Sequence, residues 1–69
     1  MNPKAFIKYL EKKGIKGGEL AKTLEISRVS VQNIKKGNTE KLNMIYVERA
    51  AKKLKISTAE LVAKLEKVS

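Results

Sequence analysis

Residues 18–37, Gly18-Glu19-Leu20-Ala21-Lys22-Thr23-Leu24-Glu25-Ile26-Ser27-Arg28-Val29-Ser30-Val31-Gln32-Asn33-Ile34-Lys35-Lys36-Gly37, decide the fold. They read as two short helices joined by a tight turn. In the first helix Leu20, Ala21 and Leu24 fall at i, i+1 and i+4 and make one apolar face. Ile26 follows as a hydrophobic plug. Ser27 carries the hydroxyl that an N-cap needs, an acceptor for the free N–H groups of a helix's first turn. Val31 and Ile34 then share a face at i, i+3, and Gly37 supplies the stop, because glycine takes helix-ending backbone angles without a Cβ clash.

The side of the second helix away from Val31 and Ile34 carries the chemistry. At about 100° per residue, Val29, Gln32, Asn33 and Lys36 form an i, i+3, i+4, i+7 stripe. Asn and Gln amides can pair bidentately with adenine, and a β-branched methyl can pack on the thymine methyl. An ordinary solvated face has the same composition, so the stripe alone does not choose between them. The charge does more: sixteen Lys and Arg against seven Glu give +9 and a pI of about 10.0. That balance favours polyanions, nucleic acid ahead of an anionic membrane surface. Its plain alternative is a lysine-rich surface kept for solubility.

Leu20-Ala21, Ile26-Ser27, Val31, Ile34 and Gly37 resemble the helix-turn-helix of lambda Cro and repressor-type regulators, the XRE-type family. The five-helix layout derived below extends the resemblance over nearly the whole chain. Three positions depart from the family pattern. Its turn usually holds Gly where this chain has Glu25, so a residue with a Cβ is expected at φ > 0. Gly17 stands where Gln is frequent, which removes one phosphate-side contact, and Lys35 stands where Glu is common. The resemblance implies a transcriptional regulator, a repressor acting as a dimer on a near-palindromic operator.

Working outward, Asn2-Pro3 is a cap followed by proline at the first helical position, which starts a helix running to about Lys13. Phe6, Ile7 and Leu10 point inward, while Lys4, Lys8 and Lys12 share the outer face at i, i+4, i+8. Such a row is either a solvated face or a track for a phosphate backbone. Gly14 ends the helix and Ile15 folds back onto the core. Lys16-Gly17-Gly18 leads into the second helix, either as a plain loop or as a phosphate seat. Past Gly37, Asn38-Thr39-Glu40-Lys41 is a polar connection with Leu42 as its anchor.

A fourth helix is predicted from about Asn43 to Leu54, with Val47, Ala50, Ala51 and Leu54 at i, i+3, i+4, i+7 and Met44 extending the stripe. Tyr46 fits the edge of the core, and Lys52, Lys53 and Lys55 suit the negative end of the helix dipole. Ile56 takes the role of Ile26, and Ser57-Thr58-Ala59-Glu60 matches a capping box. The fifth helix carries Leu61, Val62, Leu65 and Val68, which close the core or leave a surface for a second subunit.

Composition also argues against whole classes of function. Sixty-nine residues make one domain, 1–69, near the lower limit for folding without staples. There is no Cys for a disulfide, and no His or Cys for the usual zinc sets. No histidine is present to activate a serine, and the chain holds neither a P-loop nor a dinucleotide fingerprint. The glutamates sit in amphipathic patterns as surface or capping residues. An enzyme, a cofactor, a metal and a small-molecule ligand are therefore not expected. No apolar run approaches the ~18–20 residues of a membrane span. A cysteine-free chain without a signal-peptide pattern is expected in the cytoplasm, here nucleoid-associated.

The expectation is an all-α, compact bundle of five short helices containing a lambda repressor-like helix-turn-helix that binds double-stranded DNA sequence-specifically. Arg28, Val29, Gln32 and Asn33 are the candidate base contacts. Gly18, Ser27, Ser30, Lys35, Lys36, Asn38 and Lys41 are the candidate phosphate contacts. A homodimer is expected, at least on DNA. Two other classes stay open: a protein-interaction module such as an antitoxin subunit, and a non-specific binder of nucleic acid or anionic lipid.

Overall fold

Side-chain caps decide where four of the five helices begin. In the computed structural model, which describes residues 2–37 and 43–68, α1 spans Pro3–Lys12. The Asn2 side-chain oxygen accepts from the Lys4 N–H at 2.9 Å, and Pro3 occupies the first turn, where a missing N–H is harmless. α2 is Gly18–Leu24 and α3 is Arg28–Lys35, the latter capped by Ser27 Oγ accepting from the Ser30 N–H at 3.1 Å. α4 is Met44–Leu54, capped by Asn43, and α5 is Thr58–Val68, begun by Ser57 Oγ accepting from the Glu60 N–H at 3.0 Å. All regular structure among the described residues is helical. None of these helices is long and apolar enough to cross a membrane.

The apolar faces meet in one core. α1 packs on α3 and α5, α2 on α3 and α4, and α4 on α5. Phe6, Leu10, Leu20, Leu24, Val47, Ala50 and Leu61 lose all their solvent contact there, with Ile7, Ala51, Leu65, Val31, Ile34 and Ile15 buried around them. No polar or charged residue is buried among the described ones, so burial carries no unpaired charge. The result measures 28 × 21 × 20 Å. The expected inward positions of α1, α2 and α3, and Leu61, Val62 and Leu65 of α5, are the observed ones, and Tyr46 and Ile26 pack at the core's edge.

One inward position fails. Met44, expected to extend the α4 stripe, is 48% exposed, and its neighbour Ile45 is 50% exposed. Helical periodicity sets a side chain's angle around the axis but not whether another element reaches that level, and Met44 and Ile45 stay half-exposed at the very start of α4. The expectations for Asn38, Lys41 and Leu42, and for the side chain of Val68, fall outside the described residues.

The chain uses one turn twice. Ala21-Lys22-Thr23-Leu24-Glu25-Ile26-Ser27 and Ala51-Lys52-Lys53-Leu54-Lys55-Ile56-Ser57 agree at five of seven positions. Their backbones also agree. Glu25 ends α2 at φ 56°, ψ 44°, and Lys55 ends α4 at φ 59°, ψ 40°, both left-handed. The Ile26 N–H donates to the Ala21 carbonyl at 3.1 Å, and the Ile56 N–H donates to the Ala51 carbonyl at 3.0 Å. The left-handed residue closes the helix, the isoleucine turns back to the core, and the serine starts the next helix. Glu25 therefore takes the geometry expected of it; Lys55 does the same without having been marked by the sequence.

Candidate nucleic-acid interface

α3 is held at both ends by other helices. At its start, Arg49 of α4 donates from Nη1 to the Leu24 carbonyl at 2.9 Å, and its Nε lies 3.2 Å from the Glu25 carboxylate. One guanidinium thus satisfies an orphan carbonyl at the end of α2 and grips the left-handed residue that sets the angle between α2 and α3. At the far end, Lys35 Nζ pairs with Glu11 of α1 at 3.1 Å, both side chains about one-third exposed. Val31 and Ile34 fix the rotation of α3 by burying its inner face.

This leaves the opposite face outward. Val29 is 70% exposed, and Gln32, Asn33 and Lys36 are exposed beside it. None of these four side chains makes a hydrogen bond or ion pair among the described residues. α3 also contains no acidic residue, whereas α1 has Glu11, α2 has Glu19, α4 has Glu48, and α5 has Glu60 and Glu66. The face therefore offers amide donors and acceptors, one methyl pair and a cation, with no carboxylate on the same helix to repel an anion.

The other candidate residues divide by what already occupies them. Arg28 leans away from the stripe: a Cβ added at Gly18 would lie 3.3 Å from its Nη2, so the guanidinium rests against the start of α2. Gly17, Gly18, Arg28, Val31, Gln32 and Lys35 line one shallow concavity there. Ser27 Oγ accepts from the Ser30 N–H and donates to Ser30 Oγ at 3.0 Å, which engages its hydroxyl within the chain and leaves the Ser30 proton free to donate outward. Lys35 is engaged with Glu11, while Lys36 is exposed at the C-cap of α3. Ser27 and Lys35 would each have to share or exchange an internal bond to reach a phosphate.

Sequence reasoning overlooked Arg49 and Glu11, both of which position α3. Their partners lie far along the chain, and no local spacing marks such a pair. No group of His, Cys, Asp or Glu able to hold a metal ion exists among the described residues. In comparisons with protein-family models, curated proteins and solved structures, nothing matches this chain.

Proposed function

We propose that this protein is a sequence-specific binder of double-stranded DNA, a transcriptional repressor that presents α3 to the major groove. The observation that carries the reading is the α3 face itself: Val29, Gln32, Asn33 and Lys36 are exposed, without a hydrogen-bond or ion-pair partner among the described residues, and free of acid on their own helix. A helix with its side chains is about 10–12 Å across, which matches a major groove about 12 Å wide. Asn33 and Gln32 suit the adenine edge, and Val29 suits the thymine methyl. Arg28, resting on the start of α2, suits a phosphate better than a guanine deep in the groove. Lysines supply affinity by releasing counterions, and Lys36, Ser30 and Gly18 are the phosphate contacts least committed elsewhere.

The protein acts as a two-fold dimer on a near-palindromic site, with the reading helices about 34 Å apart. The half-exposed Met44 and Ile45 at the start of α4 support this, since they add apolar surface that a second copy can cover. Selection of bound DNA from a random pool gives the site. A selected site without a repeated half-site, bound by one protein per duplex, refutes the dimer.

Asn33→Ala and Lys36→Ala then separate reading from charge. Asn33 is uncharged, so its loss should cost about 1–3 kcal/mol on the selected duplex and little on a scrambled one, with the salt dependence unchanged. Lys36→Ala should weaken both duplexes alike and flatten the plot of log affinity against log salt by about one. Equal losses for Asn33→Ala on both duplexes would leave charge-only binding as the better account. No effect of either substitution on any DNA would favour a protein-interaction module.

A further inference from the structure

We infer that the outer face of α1 is a second nucleic-acid surface, on which Lys4, Lys8 and Lys12 hold the phosphate backbone of a duplex other than the one on α3. This goes beyond base reading by α3 and rests on that reading for the first duplex. The three lysines are exposed at i, i+4 and i+8 of a single helix. At about 1.5 Å per residue the row is about 12 Å long, equal to the rise of three to four phosphates along one strand at about 3.4 Å each.

Two features show the row acting against its own helix. Like charges four residues apart repel, and among the described residues none of the three lysines has an acidic partner. Elsewhere the chain does neutralise this spacing: on α5, Glu60 stands four residues before Lys64, with 3.5 Å between the charged atoms. Lys4 also lies in the first turn of α1, at the positive end of the helix dipole, where α1 has no acidic residue while α2 has Glu19 and α5 has Glu60. A polyanion lying along the row relieves both penalties.

The rest of the face suits a backbone rather than a base. Ala5 and Tyr9 line a shallow groove with Lys8 and Lys12, and Lys13 Nζ stands 5.5 Å from the Tyr9 ring centroid, which brings another cation to the flank. α1 contains no Asn, Gln or Arg, so its contacts are to phosphate and carry no sequence information. On the side toward α3 the row is bounded by Glu11, paired with Lys35 at 3.1 Å. A strand passing from the α3 stripe onto the row would cross that carboxylate, which makes a separate duplex the better fit.

The test uses the full chain and short scrambled duplexes, half carrying a donor fluorophore and half an acceptor. The unaltered protein should bring the two kinds together and produce energy transfer. The Lys4→Gln/Lys8→Gln/Lys12→Gln variant should lose the transfer, and its plot of log affinity against log salt should flatten by roughly three, at about 0.9 per phosphate contact. Three arginines at the same positions should restore both. Transfer and slope unchanged in the glutamine variant overturn the inference. So does a weaker affinity in that variant when the unaltered protein gives no transfer, because the row then serves the α3 duplex. So does loss of binding to phosphatidylserine vesicles with duplex binding unchanged, because the row is then a lipid surface. Failure of the α3 reading looks different: the unaltered protein would still give transfer, Asn33→Ala/Lys36→Ala would keep both that transfer and the salt slope, and only the glutamine variant would lose them.

Discussion

Glu25→Gly weighs three terms that the structure makes explicit. Left-handed geometry costs a residue with a Cβ roughly 1–2 kcal/mol, and Glu25 sits at φ 56°, ψ 44°. Glycine removes that cost but gives the unfolded chain more freedom, which returns about 0.4–1 kcal/mol. It also removes the 3.2 Å ion pair with Arg49, whose partners are 34% and 68% exposed, a contact in the range of about 0.2–1 kcal/mol for exposed pairs. At the middle of each range the sum is a small stabilisation, about 0.2 kcal/mol, or roughly 1–2 °C in Tm for a domain of this size. A double-mutant cycle with Arg49→Gln isolates the ion pair, because Glu25→Gly in that background keeps the backbone gain and loses no pair. Glu25→Gly should therefore stabilise the Arg49→Gln protein more than the unaltered one, by about 0.2–1 kcal/mol in urea denaturation. A loss of stability in the Arg49→Gln background would refute the reasoning, since the left-handed backbone would then carry no cost to relieve.

Lys55→Gly tests the same backbone without a carboxylate partner. Lys55 has φ 59° and no ion pair among the described residues, so relief of strain is offset only by chain entropy and by the lost cation at the α4 C-terminus; thermal unfolding should show a stabilisation of about 0–1.6 kcal/mol in high salt, shrinking as salt is lowered and the dipole term grows. Leu61→Ala should cost about 2–5 kcal/mol, since Leu61 is wholly buried at the packing of α5, and in so small a domain circular dichroism at room temperature should already report a substantial unfolded fraction.

The sequence carried the local decisions well because they depend on neighbouring residues. Caps at Asn2, Ser27 and Ser57, the stop at Gly14 with φ 93°, and the inward set of α1 are all set within a helical turn. The left-handed Glu25 was legible only through the family pattern. Lys55 was missed because lysine carries no glycine-like signal; the match of residues 51–57 to 21–27 was the available clue. What the sequence hid is what crosses the fold. Arg49 reaching Glu25, Lys35 reaching Glu11, and Arg28 lying back on Gly18 each depend on how helices dock. Met44 was misplaced for the same reason, since its burial depends on which element covers the start of α4.

Among the described residues, the four exposed side chains on α3 make no hydrogen bond or ion pair that holds the chain together. Val31 and Ile34 bury the helix, Ser27 starts it, and Arg49 and Glu11 fix its ends. Substitutions at Val29, Gln32, Asn33 and Lys36 should therefore fall within the roughly ±0.5 kcal/mol typical of surface changes. If α3 reads DNA as proposed, recognition and folding are written at different positions of the same eight-residue helix. Such a helix can be rewritten for a new target one residue at a time, and every intermediate along that route keeps the same architecture.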